Sequence, residues 1–198
     1  MFLFEKIEEI AKGISRRLLD HGQIEKEDFD LYVYGFREGI IQLLNLFTAL
    51  LIGLVFWQFW ENVIFLLSYT VLRKYAGGYH ASSREGCFIR SMALITAVMA
   101  AIKWIHISMA AGMIISMVAL VVTCWLSPIE NVRRPVDAEE KKLYGRLSKA
   151  IILMEVGVIA LLYRWQRDSF AQSVMWGICS ASALQLVVYV QGLRKRIV

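Results

Sequence analysis

Residues 88–126 read FIRSMALITAVMAAIKWIHISMAAGMIISMVALVVTCWL, with only two charges, Arg90 and Lys103. A helix needs roughly 20 predominantly apolar residues to cross a bilayer, and this run has room for two. It therefore decides the class of the fold. In lipid the backbone must satisfy its own hydrogen bonds, so spanning segments are helices or closed barrels. No strand-like alternation of polar and apolar residues appears, which leaves helices. A turn must lie within the run. The natural cut is KWIHIS, Lys103 to Ser108, where a cation, a tryptophan and a histidine suit a membrane interface.

Working outward, four further runs qualify. Ile40 to Trp57, IIQLLNLFTALLIGLVFW, is the first, and Phe170 to Val190 is the last. Phe59 to Leu72 is short and carries Glu61 and Asn62 near its start; Ala150 to Tyr163 is also short. The expectation is an all-α polytopic membrane protein of about six spans, with these two short or re-entrant. Composition agrees: 58% of the 198 residues are hydrophobic and mean hydropathy is +0.52, whereas soluble domains run nearer 45–50% apolar. One membrane domain covers residues 1–198. Residues 1–37 form an N-terminal interfacial helix and connector, and residues 38–198 hold the spans, with cytoplasmic loops at 73–90 and 127–149. MFLFEKIEEIAKG at the start lacks the unbroken apolar core of a signal peptide, so targeting rests on the first span.

Charge sets the orientation. With a cytoplasmic N terminus and six spans, 19 of the 22 lysines and arginines fall on the cytoplasmic side, and only Lys103, Arg164 and Arg167 fall outside. That asymmetry matches the positive-inside rule. It also accounts for the net charge of +5 without a nucleic-acid partner. Both termini are then cytoplasmic, with membrane lipid as the surroundings.

Leu3, Ile7, Ile10, Ile14 and Leu18 recur at three- and four-residue spacing on one helix face. Two placements fit such a helix, on the membrane surface or against the protein's own loops. Cys87, Cys124 and Cys179 are too few for a disulfide framework. None has the spacing of a zinc ligand set, and no metal or other cofactor is expected. Cys124 and Cys179 lie inside apolar runs as small inert hydrophobes.

Cys87 differs, because RKYAGGYHASSREGC, Arg73 to Cys87, surrounds it with polar residues and a nearby histidine, His80. A thiolate attacking a carbonyl, with imidazole moving the proton, is the simplest chemistry for this pair. On one continuous helix, residues seven apart sit about 10 Å apart along the axis, too far for a hydrogen bond. The backbone must bend, and Gly77, Gly78, Gly86, Ser82 and Ser83 allow it. Cys87 directly precedes an apolar run, which puts it at or near a helix N terminus. There the dipole favours a thiolate, with Arg84 and Arg90 adding positive charge.

The stretch resembles the signature of the AgrB family, membrane cysteine endopeptidases that process quorum-sensing propeptides. The matching positions are Arg73, Gly78, His80 and Cys87. The resemblance continues in SPIENVRRPVDAEEKK, where Pro128, Arg133, Arg134 and Pro135 fit a second family pattern and supply both prolines of the chain. It implies that Cys87 is the nucleophile and His80 the general base. The substrate implied is an AgrD-type propeptide, cut to release its acidic tail. A thioester left on the enzyme is then resolved by an internal thiol or hydroxyl of the peptide, closing a thiolactone or lactone. Arg73 would orient the loop, Gly78 would give backbone room, and Arg133 and Arg134 would hold the acidic tail between the two prolines.

Other residues carry less. His21 and His106 lie away from Cys87 in this topology, and Glu155 is an intramembrane acid, or a partner of Lys149. Gly112 and the serines on span faces offer a surface for a second copy, hence a homodimer. A small-peptide exporter and a non-enzymatic membrane scaffold are the alternatives in other functional classes.

Overall fold

A computed structural model describes residues 2–77, 84–129 and 137–197, with side chains for all of these except 2, 3, 84, 138 and 193–197. The described residues form seven helices and no strand: α1 (Phe2–Asp20), α2 (Phe29–Val55), α3 (Phe59–Ala76), α4 (Arg84–Trp104), α5 (Met109–Leu126), α6 (Ala138–Arg164) and α7 (Asp168–Ile197). Four of them, α2, α4, α5 and α7, are long and apolar enough to cross a membrane. The protein is an all-α, multi-pass membrane protein. The expected six spans are thus met clearly by four. In α3, Glu61 and Arg73 bracket only about 16 Å of helix, and α6 carries six charges between Glu139 and Lys149 and a further acid, Glu155, inside its apolar half.

The cut within residues 88–126 falls where expected, with Ser108 capping α5 by accepting from the Ala111 N–H. Helices extend further than the apolar runs do. Residues 73–76 and 84–90 belong to α3 and α4, and 138–149 to α6, so these parts of the two expected loops are helical. The connector before α2 shortens to residues 21–28.

Three short turns gather at one end of the bundle. Lys103 Nζ donates to the Phe56 carbonyl at 3.3 Å, and the Tyr163 hydroxyl donates to the Ile107 carbonyl at 3.5 Å. The first and third turns close alike. Gln58 N–H reaches the Gly53 carbonyl and Arg167 N–H the Leu162 carbonyl, both at 2.9 Å, around left-handed Trp57 and Gln166. Trp57, Trp60, Trp104 and Trp165 are exposed at this turn end, the habit of aromatic residues at a membrane interface.

Helix α7 is the hub. Half of its spanning window is buried, against 17% for α2, and it packs on α3, α5 and α6. Apolar residues of all four helices share one core, which includes Leu72, Ile152, Ile159, Met175 and Ile178. A second core, around Phe65, Ile95 and Met99, joins α2, α3 and α4. Small residues bring the backbones together, as in membrane helix pairs generally. Gly177 of α7 faces Ser68 of α3, Gly53 faces Asn62, and Gly112 faces the Tyr163 ring. Gly112 and the buried Ser116 are thus used inside the chain, and this face is not available to a second copy. Buried polar groups pair across the same seams. Ser182 and Thr123 hydroxyls lie 2.8 Å apart, and Asn62 donates to the Ala49 carbonyl at 2.8 Å. Glu155 is buried in α6. Cys124 and Cys179 pack against the main core as free thiols.

Helix α1 packs on the protein itself, along α2 and not on its loops. Ile7, Ala11 and Ser15 are buried, on the helix that packs along α2. Ile10 and Ile14 remain exposed.

At the end opposite the turns, one carbonyl holds three elements. Ala76, the last residue of α3, accepts from the Gln185 side chain of α7 at 2.9 Å and from the Ile129 N–H at 3.1 Å. The next residue, Gly77, has φ +78°, and a Cβ there would collide with the Ile129 carbonyl. The segment after α5 is thereby fastened to the end of α3. Ser127 adds a 2.5 Å contact to Ser148 of α6.

Two outcomes test this packing. Gly177→Ala should lower the thermal stability of the detergent-solubilised protein, by about 1–3 kcal/mol for overpacking. Gly157→Ala, which meets nothing within 4 Å, should leave stability unchanged or raise it by up to about 1 kcal/mol. Gly77→Ala should speed hydrogen exchange at the Ile129 amide while sparing the amides of the three turns; equal exchange in variant and wild type would refute the clasp.

Candidate active site

Cys87 lies in the N-terminal turn of α4 and is exposed. The sequence-based expectation of a helix N terminus at Cys87 holds. The ring of Phe88 meets Phe4 of α1 edge-on at 6.4 Å, which braces this turn from the amphipathic helix.

Arg73 stands one turn before the end of α3. Its guanidinium donates to the Tyr69 hydroxyl and lies over the same ring, 5.4 Å from its centre. Tyr69 in turn stacks on the buried Phe65, with ring centres 5.7 Å apart and planes 13° from parallel. Arg73 and Tyr69 thus form one neighbourhood on α3, while Cys87 is carried by α4. Tyr69 was not evident from sequence composition. The signal that would have found it is its place four residues before Arg73, one helical turn away.

Beneath this neighbourhood an apolar groove of about 370 Å³ runs between α2, α3 and α4. Ala49, Leu50, Leu66, Tyr69, Ser91 and Ile95 are among its walls. Ser91 is four residues after Cys87, so the two share a face of α4. Cys87 therefore sits above the mouth of the groove.

Pro128 follows the end of α5, and its ring packs toward Gly145 of α6. Through the bond from Ile129 to Ala76, the root of the second motif is fastened beside the end of the helix that carries Arg73. His80, Gly78, Arg133, Arg134 and Pro135 lie outside the described residues. Gly77 ends α3, and the bend expected between His80 and Cys87 falls on a stretch outside the described residues. His21 is spent on the Arg17 carbonyl at the end of α1, at 2.7 Å. His106 lies at the turn end, away from Cys87.

The accessory gene regulator B family model matches residues 7–189. The chain is 25% identical over 190 residues to the putative AgrB-like protein 2 of Clostridium perfringens, covering 90% of this chain and 89% of that one. It is 26% identical over 187 residues to the accessory gene regulator protein B of Staphylococcus haemolyticus, covering 93% and 94%. For the accessory gene regulator protein B of Staphylococcus aureus (strain MW2) the identity is 24% over 186 residues, with coverage of 93% and 94%. No solved structure matches the chain. With nearly the whole chain matched and its helical, multi-pass layout in place, this protein belongs to the accessory gene regulator B family.

Proposed function

We propose that this protein is a membrane cysteine endopeptidase that removes the acidic C-terminal tail of an AgrD-type propeptide and cyclises what remains. The observation that carries the reading is the position of Cys87. It is the one exposed thiol of the three, and it stands in the N-terminal turn of α4. The other two thiols are packed into the core.

In this mechanism His80 takes the Cys87 proton, and the thiolate attacks the scissile carbonyl. The tetrahedral adduct collapses with loss of the amine, which His80 protonates, leaving an acyl-enzyme thioester. A cysteine or serine inside the peptide attacks that thioester, and Cys87 leaves as thiolate. Exchange is favoured over hydrolysis because the held internal nucleophile has a high effective molarity and the lipid boundary limits water. Arg133 and Arg134, between Pro128 and Pro135, hold the acidic tail, and Gly78 gives the loop backbone room.

The proposed topology has six crossings, with α3 and α6 as interior members whose polar groups face the bundle. Both termini and Cys87 then lie on the cytoplasmic side. The asymmetry of 19 cytoplasmic cations among 22 supports that orientation.

Co-production with a tagged propeptide tests the chemistry. Cys87→Ala should abolish tail release on gel and mass spectrometry, and His80→Ala should slow it about 10²–10⁴-fold. Cys124→Ala and Cys179→Ala should retain it. Normal processing by Cys87→Ala would sink the peptidase reading.

A further inference from the structure

The Arg73–Tyr69 pair has a chemical direction. Arg73 donates to the Tyr69 oxygen, which occupies an acceptor site of the phenol and leaves its own proton for a second partner. A cation on the oxygen polarises that O–H and makes it a stronger donor. The ring cannot swing freely, because Phe65, fully buried, stacks on one side and the guanidinium lies over it. The hydroxyl is thus a preorganised donor. Its position also relates it to Cys87, because Tyr69 shares the groove wall with Ser91, one turn along α4 from Cys87 on the same face.

Building on the peptidase reading, we propose that the Tyr69 hydroxyl, polarised by Arg73, is the oxyanion donor for acyl transfer at Cys87. When the Cys87 sulfur bonds to the scissile carbonyl carbon, the carbonyl π pair moves onto oxygen. Tyr69 donates a hydrogen bond to that oxygen and keeps its proton, while Arg73 supplies the compensating charge behind it. As the adduct collapses, the pair returns to the carbonyl, the C–N bond breaks and the oxyanion disappears. The same donor serves again when the peptide's internal nucleophile attacks the thioester. Arg73 acts through Tyr69 and is a positioning residue in this step.

The purified wild-type protein, Tyr69→Phe, Arg73→Lys and Cys87→Ala are compared in detergent on the tagged propeptide that the wild type processes. Tyr69→Phe keeps the stack on Phe65 and removes one oxygen. It should unfold at the wild-type temperature, with kcat for tail release lowered about 10²–10³-fold, the cost of one oxyanion donor, and KM nearly unchanged. Arg73→Lys should also lose kcat, since an ammonium lacks the planar fork that stacks on the ring. A Tyr69→Phe variant with wild-type kcat, while Cys87→Ala is inactive, overturns this assignment and leaves the peptidase reading standing. Activity in Cys87→Ala overturns both. A loss in Tyr69→Phe seen only in KM, or matched by a lowered unfolding temperature, assigns Tyr69 to binding or packing and overturns the proposal.

Discussion

The structure depends on α3 lying against α7 at near-backbone distance. Gly177 makes this possible, because any side chain there would run into Ser68. Once the two helices touch, Ser68 can donate to the Val174 carbonyl at 3.3 Å, and Gln185 can reach the carbonyl that ends α3. In lipid no apolar driving force distinguishes one helix partner from another, so close packing and buried hydrogen bonds select the arrangement. Apolar area alone would not place α3 next to α7 in preference to α5.

That contact reaches the chemistry through the end of α3. The Ala76 carbonyl, held by Gln185, also receives Ile129, so α7 and the segment after α5 meet at one atom. Gly77 then turns the chain out of the helix, with no side chain to obstruct Ile129. Arg73 and Tyr69 stand one and two turns back from this point, on a helix whose inner side is fixed by Phe65 and Leu72. A rigid scaffold thereby fixes a cation and a phenol on α3, and in the proposed mechanism they serve the thiol of α4. Such fixing is what lets donors act on a charge that exists only in the transition state.

Two helices that fail a hydropathy test, α3 and α6, nevertheless pack into the bundle against α7. In α3, Asn62, Phe65 and Leu72 are fully buried, and α6 buries Ile152, Glu155 and Ile159. A helix that faces protein can carry polar groups that lipid would reject, provided they find partners there. Asn62 finds the Ala49 carbonyl. The helices richest in exposed Leu, Ile and Val, such as α2 and α5, are those whose sequences announce a membrane most loudly.

How far the sequence alone carries follows from the range of each interaction. The run from Phe88 to Leu126 is too long and too apolar for anything but two helices in lipid, and its interfacial cut was legible because Lys103, Trp104 and Ser108 mark it locally. Cys87 at a helix start was legible for the same reason, since a polar glycine-rich stretch gives way there to an apolar run. Residues 73–76 and 138–149 read as loop because charge hides helical periodicity when the exposed face is long. Tyr69 looked like any tyrosine in a span, and Gly77 like the lesser of two glycines. Their roles come from a thiol on another helix and from a carbonyl fifty residues along the chain. Local composition determined the membrane, the helices and the candidate nucleophile. Which side chains surround that nucleophile was decided by contacts between distant segments, which only the packed bundle brings within reach.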